Sequence, residues 1–336
     1  MRVKNKTLIF VFGAFLLLLG AFLISLMTGT YKLSLSEMLQ TFLGQGTKMQ
    51  HMVIFGLRLP RILTAAFVGA ALSTSGCILQ SITKNQLAEP GIIGMNAGSA
   101  LGVVLLIASK SSNYYDTLGL GTVLLMPFAA IVGALFATLL IYGLSYKKGI
   151  NPTRLILIGI GVNAGINALI TMYQLNMSKG DFNKALTWIS GSLWGSSWQF
   201  FMISAPIVVL FMGLTLYKSK VLDAMDLGDE LAVGLGVRVE QERRILLFLA
   251  VGLAAAATAV AGNIAFLGLL GPHIAKRLIG PVHCRQIPLA ALINGIIIIL
   301  ADTVSRNLFA PLEIPVGITI AAIGVPYFIY LMIKEK

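Results

Sequence analysis

The chain has 336 residues, of which 57% are hydrophobic and 11% charged. A soluble protein carries roughly a quarter charged residues and needs them to cover its surface, so a water-soluble globule is excluded and a lipid-facing exterior is required. The formal net charge of +12 falls on too few polar segments to hold a nucleic-acid-binding module; it fits Lys and Arg gathered in short cytoplasmic loops beside anionic headgroups.

At the N-terminus Arg2, Lys4 and Lys6 precede an apolar run over residues 8–27. A signal-peptide core is about 7–15 residues and a membrane span about 20, so the run predicts an uncleaved first helix. Further spans are predicted over 62–82, 92–108, 123–142, 155–173, 200–217, 245–261, 264–279, 287–309 and 316–333. The seventh and eighth are parted only by Gly262 and Asn263, and the eighth is short and contains Pro272. Lipid leaves an open sheet edge unsatisfied, and these runs are too uniformly apolar for barrel strands. The expected fold class is therefore all-α: a polytopic membrane protein of about ten transmembrane helices, forming one transmembrane domain over 1–336.

Ten spans put both termini on one side. If that side is the cytoplasm, inner segments hold 17 of the 25 Lys and Arg, which is the positive-inside bias. Gly98 and Gly102, Gly161 and Gly165, and Gly191 and Gly195 are each four apart, a spacing that lets helix backbones approach closely. They are read as packing positions.

The sequence has no phosphate loop, no H-E-x-x-H, no nucleophile elbow and no Cys/His cluster. Cys77 and Cys284 show neither zinc-site spacing nor a disulfide framework. No metal, cofactor or catalytic residue is expected, and any ATP hydrolysis would belong to another chain. Of the 13 acidic residues only Asp302 falls inside a predicted span, so a stand-alone secondary carrier lacks the midplane acids such proteins use.

Three constellations carry function. Arg58-Leu59-Pro60-Arg61 stands at the outer start of the second span, and Arg306 at the outer end of the ninth, one turn after Asp302. These arginines either snorkel to headgroups or pair with Asp302, or they form a basic rim for carboxylates of a docking protein. Within the cytoplasmic segment 218–244, Asp226 suits an N-cap, Asp229 and Glu230 a first turn, and Gly234 or Gly236 a stop. Leu227, Leu231 and Leu235 make an apolar strip that lies either on headgroups or in a partner protein. Last, the inner loop 83–94 has a Pro90-Gly91 turn and otherwise serves to connect.

The segments "RLPRILTAAFVGAALSTSGCILQ", "LAEPGIIG", "LGDELAVGLGV", "GNIAFLGLLGPHIAKRLIG" and "LADTVSRNLFAPLEIPVGITIAAIGVPYFIYLM" together resemble the FecCD/BtuC-type permeases of bacterial importers driven by ATP-binding-cassette subunits. One departure is Asn85-Gln86, where the family commonly has Asn-Pro. The resemblance implies a BtuC-like fold in the bacterial cytoplasmic membrane. It also implies a second permease subunit, identical or paralogous, two cytoplasmic ATPase subunits and an extracytoplasmic substrate-binding protein. It assigns Arg58, Arg61 and Arg306 to docking of the binding protein. Asp226, Leu227, Asp229, Glu230, Leu231, Leu235 and Gly236 fall in the helix seated on the ATPase. Pro152, Thr153 and Arg154 begin the fifth span, which borders the pathway and builds the subunit interface with the tenth. Asn163, Asn167, Thr171, Ser73 and Thr74 either wet the passage or bond between helices. The implied cargo is a ferric siderophore, with cobalamin or haem as the alternative.

Overall fold

The computed structural model describes residues 2–110, 120–147, 152–310 and 312–334. Lys148 and Lys336, two of the expected inner cations, and the side chain of Pro152 lie outside the described residues. Among the described residues the helices follow as α1 (Arg2–Met27), α2 (Leu35–Phe42), α3 (Lys48–His51), α4 (Leu59–Thr83), α5 (Met95–Lys110), α6 (Leu120–Ser145), α7 (Pro152–Leu175) and α8 (Lys179–Ile189). Then come α9 (Trp198–Tyr217), α10 (Ser219–Asp226), α11 (Asp229–Gly234), α12 (Val239–Ala261), α13 (Leu267–Ile279), α14 (His283–Asn307) and α15 (Val316–Lys334). A π-helical stretch, Met52–Arg58, joins α3 to α4, and a 3-10 turn, Pro90–Ile93, precedes α5.

Eight stretches among the described residues are long and apolar enough to cross a membrane, against the ten expected. The two that fall short are α5, with 16 residues, and α13, with 13. At 1.5 Å per residue, α13 covers about 20 Å of a hydrocarbon core about 30 Å thick. It begins inside the protein. Gly262, at φ +68°, and Phe266, in the left-handed region at φ +67°, reverse the chain after α12. The orphan N–H groups of a buried helix start need acceptors, and Glu89 Oε2 supplies one, 2.8 Å from the Phe266 nitrogen. The loop 83–94, expected only to connect, thus folds back to anchor α13.

The bundle is arranged around α4. Its most apolar stretch is 78% buried, against 11% for α1, and α9, α12, α13 and α14 all pack on it. Glycine makes this approach possible. A Cβ on Gly76 would lie 1.8 Å from the Gly268 carbonyl oxygen, and one on Gly69 would lie 2.8 Å from that of Asn294. Gly98 and Gly102 pack in the same way on the backbone of Gly133 and Ala129, and Gly191 on Asn263. Gly161, Gly165 and Gly195, expected to pack likewise, meet nothing within 4 Å of where a Cβ would sit. These three face away from the rest of the chain.

Replacing Gly76 with Val forces two backbones apart. The expected cost is at least about 3 kcal/mol, the upper range for overpacking. Gly143→Ala, where the space is open, is expected to be neutral. Thermal unfolding of the two variants in detergent checks this.

Candidate docking and coupling sites

At the expected outer end, α4 and α14 are joined by charge. Arg61 holds Asp302 with a fork: Nη2 to Oδ1 at 2.8 Å and Nε to Oδ2 at 3.0 Å. Its Nη1 reaches Glu313 Oε2 at 2.9 Å. Arg306 approaches Asp302 from its own helix, Nε to Oδ2 at 3.3 Å, and donates from Nη2 to Ser25 Oγ at 2.8 Å. Asp302 is 2% exposed. A carboxylate so deeply buried is tolerable only because two guanidinium groups compensate it.

Arg58 departs from expectation. It is 5% exposed, and its guanidinium donates to the carbonyls of Leu26 and Tyr31. Leu26 lies in the last turn of α1, where carbonyls lack helical partners and attract a cation. In this chain Arg58 does not stand on a rim; it ties α4 to the end of α1. Of the three arginines, Arg61 and Arg306 lie together at the expected outer end, each already paired.

The segment 218–244, expected to be cytoplasmic, holds two short helices before α12 rather than one. Asp226 closes α10 and is not an N-cap; that position belongs to Gly228, at φ +116°. The reason is burial. Leu222 and Met225 are 0% and 1% exposed, and α10 packs on α4 and α14, so that helix persists until its apolar face ends. Asp229 and Glu230 do occupy the first turn of α11, and Gly236, at φ +85°, turns the chain after it. Leu227, Leu231 and Leu235 are 62%, 60% and 65% exposed. They make an apolar strip that nothing else among the described residues covers.

Two aspartates clasp this segment to the bundle. Asp229 Oδ1 accepts from Lys84 Nζ at 2.9 Å, and Oδ2 from Arg243 Nη2 at 2.8 Å. Arg243 is 2% exposed and also reaches Glu240 at 2.9 Å. Asp223 Oδ1 accepts from the His283 backbone N–H at 2.8 Å and from Nδ1 at 2.7 Å. With the proton on Nδ1, Nε2 accepts from the Ser81 hydroxyl at 2.7 Å. The Asp–His–Ser order is that of acyl-transfer triads, but Ser81 is 4% exposed and the bonds join α10, α14 and α4. Burial pushes both aspartates up, but hydrogen bonds from His283 to Asp223, and from Arg243 and Lys84 to Asp229, outweigh it. Each titrates below the ordinary range. A polar cavity of about 180 Å³ separates the clasps, with Ser81, Lys84, Asp226 and His283 on its walls.

On α7, Asn163 donates from Nδ2 to the Gly91 carbonyl at 3.0 Å, tying α7 to the Pro90–Ile93 turn. Thr153, Asn167 and Thr171 are exposed. Ser73 and Thr74 are buried, with hydroxyls on the Ala70 carbonyl, so within this chain they line no passage. Sequence reasoning also passed over Lys84, Arg243, Asp223, His283 and Glu89. Only their contacts reveal them, because those contacts reach from 14 residues, between Arg243 and Asp229, to 202, between His283 and Ser81.

Residues 16–334 match the FecCD transport family. The iron(3+)-hydroxamate import system permease protein FhuG of Bacillus subtilis is 52% identical, covering 100% of both chains. The iron-uptake system permease protein FeuC of the same organism is 36% identical over 93% of each. A solved structure of a metal-chelate type ABC transporter in an inward-facing conformation superposes with a TM-score of 0.84 at 33% identity, covering 96% of this chain and 98% of that one.

Asp229→Asn leaves Arg243 with Glu240 as its one carboxylate partner among the described residues and is expected to cost α11 about 1.5 kcal/mol of local stability. Lys84→Gln, at a half-exposed site, is expected to cost under about 1 kcal/mol. Because the folded carboxylate titrates below its unfolded value, its contribution is complete at neutral pH and is lost only as the pH falls below about 3.9. Hydrogen-exchange protection of 229–234 is therefore expected to stay flat from about pH 7 to 5 and to drop in Asp229→Asn.

Proposed function

The chain belongs to the FecCD transport family, and from that premise we propose that it forms the membrane passage for a ferric hydroxamate siderophore in an ATP-driven importer. Full-length identity of 52% to a hydroxamate permease carries the choice of cargo. Cobalamin and haem are not favoured, because the relatives compared are iron-import permeases. The chain is a transport subunit, and hydrolysis belongs to its ATPase partners.

In this reading the termini are cytoplasmic, and the strip of Leu227, Leu231 and Leu235 seats in a groove of the ATPase. Their exposure supports it, since leucines on a cytoplasmic helix are stable only when covered. Closure of the ATPase pair displaces α11. Asp229 passes the displacement to α4 and α12, and Asp223 passes it to α14 and α4. At the far end of α4, Arg61, together with Arg306, receives carboxylates of the substrate-binding protein in exchange for Asp302 and Glu313. Arg58 serves this site from behind by holding α1. A second permease subunit, identical or paralogous, packs on α7 and α15; the outward pair Gly161 and Gly165 supports a close crossing there. Thr153, Asn163 and Asn167, with Pro152 at the helix start, border the passage. Weak polar contacts suit a bulky chelate, since a site that grips tightly releases slowly.

Three outcomes are expected. Deleting the gene abolishes uptake of an iron(III) trihydroxamate labelled with radioactive iron and spares ferric citrate; unchanged hydroxamate uptake refutes the cargo. Leu227→Asp with Leu231→Asp lowers uptake at least about tenfold while the subunit still inserts and ATP hydrolysis persists. Arg61→Gln with Arg306→Gln weakens binding-protein association in a surface-binding assay, whereas Arg58→Gln lowers thermal stability instead.

A further inference from the structure

Between the C-terminal half of α6 and the N-terminal half of α12 lies a groove of about 220 Å³. Leu135 and Leu139 of α6 and Leu247 and Phe248 of α12 make its walls, and Arg244 and Tyr142 stand at one end. Leu139 is 68% exposed and Phe248 60%, so the groove opens outward. Both helices meet the cytoplasmic side here in the orientation proposed above, on which this inference rests: α6 ends at Ser145 and α12 begins at Val239. An apolar channel at that depth faces inner-leaflet hydrocarbon, and a filled channel keeps the dispersion contacts that an empty one forfeits.

Two polar groups distinguish this groove from plain lipid-facing surface. Arg244 is the first. Its neighbours' carboxylates are engaged elsewhere, Glu240 by Arg243 at 2.9 Å and Glu242 by Lys218 at 2.7 Å. Arg244 lies over the Tyr146 ring at 5.7 Å, with Nη2 3.3 Å from the phenol oxygen. Among the described residues its side-chain partners are the phenols of Tyr142 and Tyr146 rather than a carboxylate, and a guanidinium fork suits a phosphate. Thr138 is the second. It lines the groove and is 4% exposed, yet among the described residues its hydroxyl has no hydrogen-bond partner. The hydroxyls of Thr83, Thr215, Thr258 and Thr303 all bond the carbonyl four residues back, at 2.7 to 2.8 Å. A buried hydroxyl without a partner is costly and calls for an outside acceptor. Thr138 lies one turn, about 6 Å, deeper along α6 than Tyr142.

We propose that this groove binds an anionic phospholipid of the inner leaflet, with its phosphate on Arg244, an ester carbonyl on the Thr138 hydroxyl and an acyl chain along Leu135, Leu139 and Phe248. Charge complementarity, the unpartnered hydroxyl and the continuity of the groove with the lipid-facing surface all select a lipid over a protein segment. The site lies beside the coupling apparatus, because Arg243, the adjacent residue of α12, holds α11 through Asp229. The lipid therefore braces the turn of α12 to which the coupling segment is clasped.

The test uses the assembled importer, delipidated and titrated with phosphatidylglycerol or phosphatidylcholine of matched acyl chains, with bound lipid counted by native mass spectrometry. The wild type is expected to retain phosphatidylglycerol about tenfold more strongly. Arg244→Gln should abolish that preference without changing phosphatidylcholine retention, and Arg244→Lys should keep part of it. Leu139→Trp should fill the groove and reduce retention of both lipids. Arg244 and Leu139 are exposed, so these variants leave the core intact. Equal retention of the two lipids by the wild type overturns the proposal, as does a preference that survives Arg244→Gln or an undiminished retention of lipid by Leu139→Trp. A photo-crosslinker at position 139 that captures a protein segment rather than lipid overturns it as well. None of these outcomes depends on transport, so failure here and failure of the import reading are separate results.

Discussion

Helices in lipid gain nothing by hiding apolar side chains from one another, because the surrounding hydrocarbon is equally apolar. What holds them is close contact between backbones and the satisfaction of polar groups that water cannot reach. Both act on α4. Gly69 lets it touch α14, and Gly76 lets it touch the start of α13. The Ser75 hydroxyl donates to the Ala250 carbonyl of α12 at 2.8 Å. With α4 in place, the buried beginning of α13 finds Glu89, and the short helix becomes possible. Without that acceptor, a helix starting within the bilayer would leave its first N–H groups unsatisfied.

The same helix carries charge at both ends. Arg61 binds Asp302 and Glu313 at one end, and Lys84 binds Asp229 at the other. Between them α4 is packed on four neighbouring helices, so displacement at one end has no soft segment in which to dissipate. Buried ion pairs such as Arg61–Asp302 add little net stability, since desolvation offsets most of the attraction. Their use lies in fixing one arrangement of the helices.

The anchoring of segment 218–234 follows the same logic. Its leucines have no cover among the described residues, while its aspartates are held from three directions. The segment is fastened to the bundle by charge and keeps its apolar surface exposed. Arg244 and Thr138 repeat the contrast in the groove between α6 and α12, where apolar walls hold an arginine bonded to a phenol and, among the described residues, a threonine hydroxyl without a partner.

Membrane insertion, an all-helical chain and the break between spans at 218–244 were legible in the residues alone, because run length and residue pattern are local properties. The exposed strip of Leu227, Leu231 and Leu235 was legible for the same reason. Where each helix began and ended was not. Asp226 reads locally as a cap, yet α10 continues through it because Leu222 and Met225 find a surface on α4 and α14. Residues 264–279 read as a span, yet α13 is cut short where Glu89, from a loop 177 residues away, offers a buried acceptor. Arg58 reads as an exposed cation, yet the carbonyls at the end of α1 draw it inside. In each case the tertiary structure decided, because a polar group out of reach of water takes whatever partner the fold brings near, and that partner lies far away along the chain.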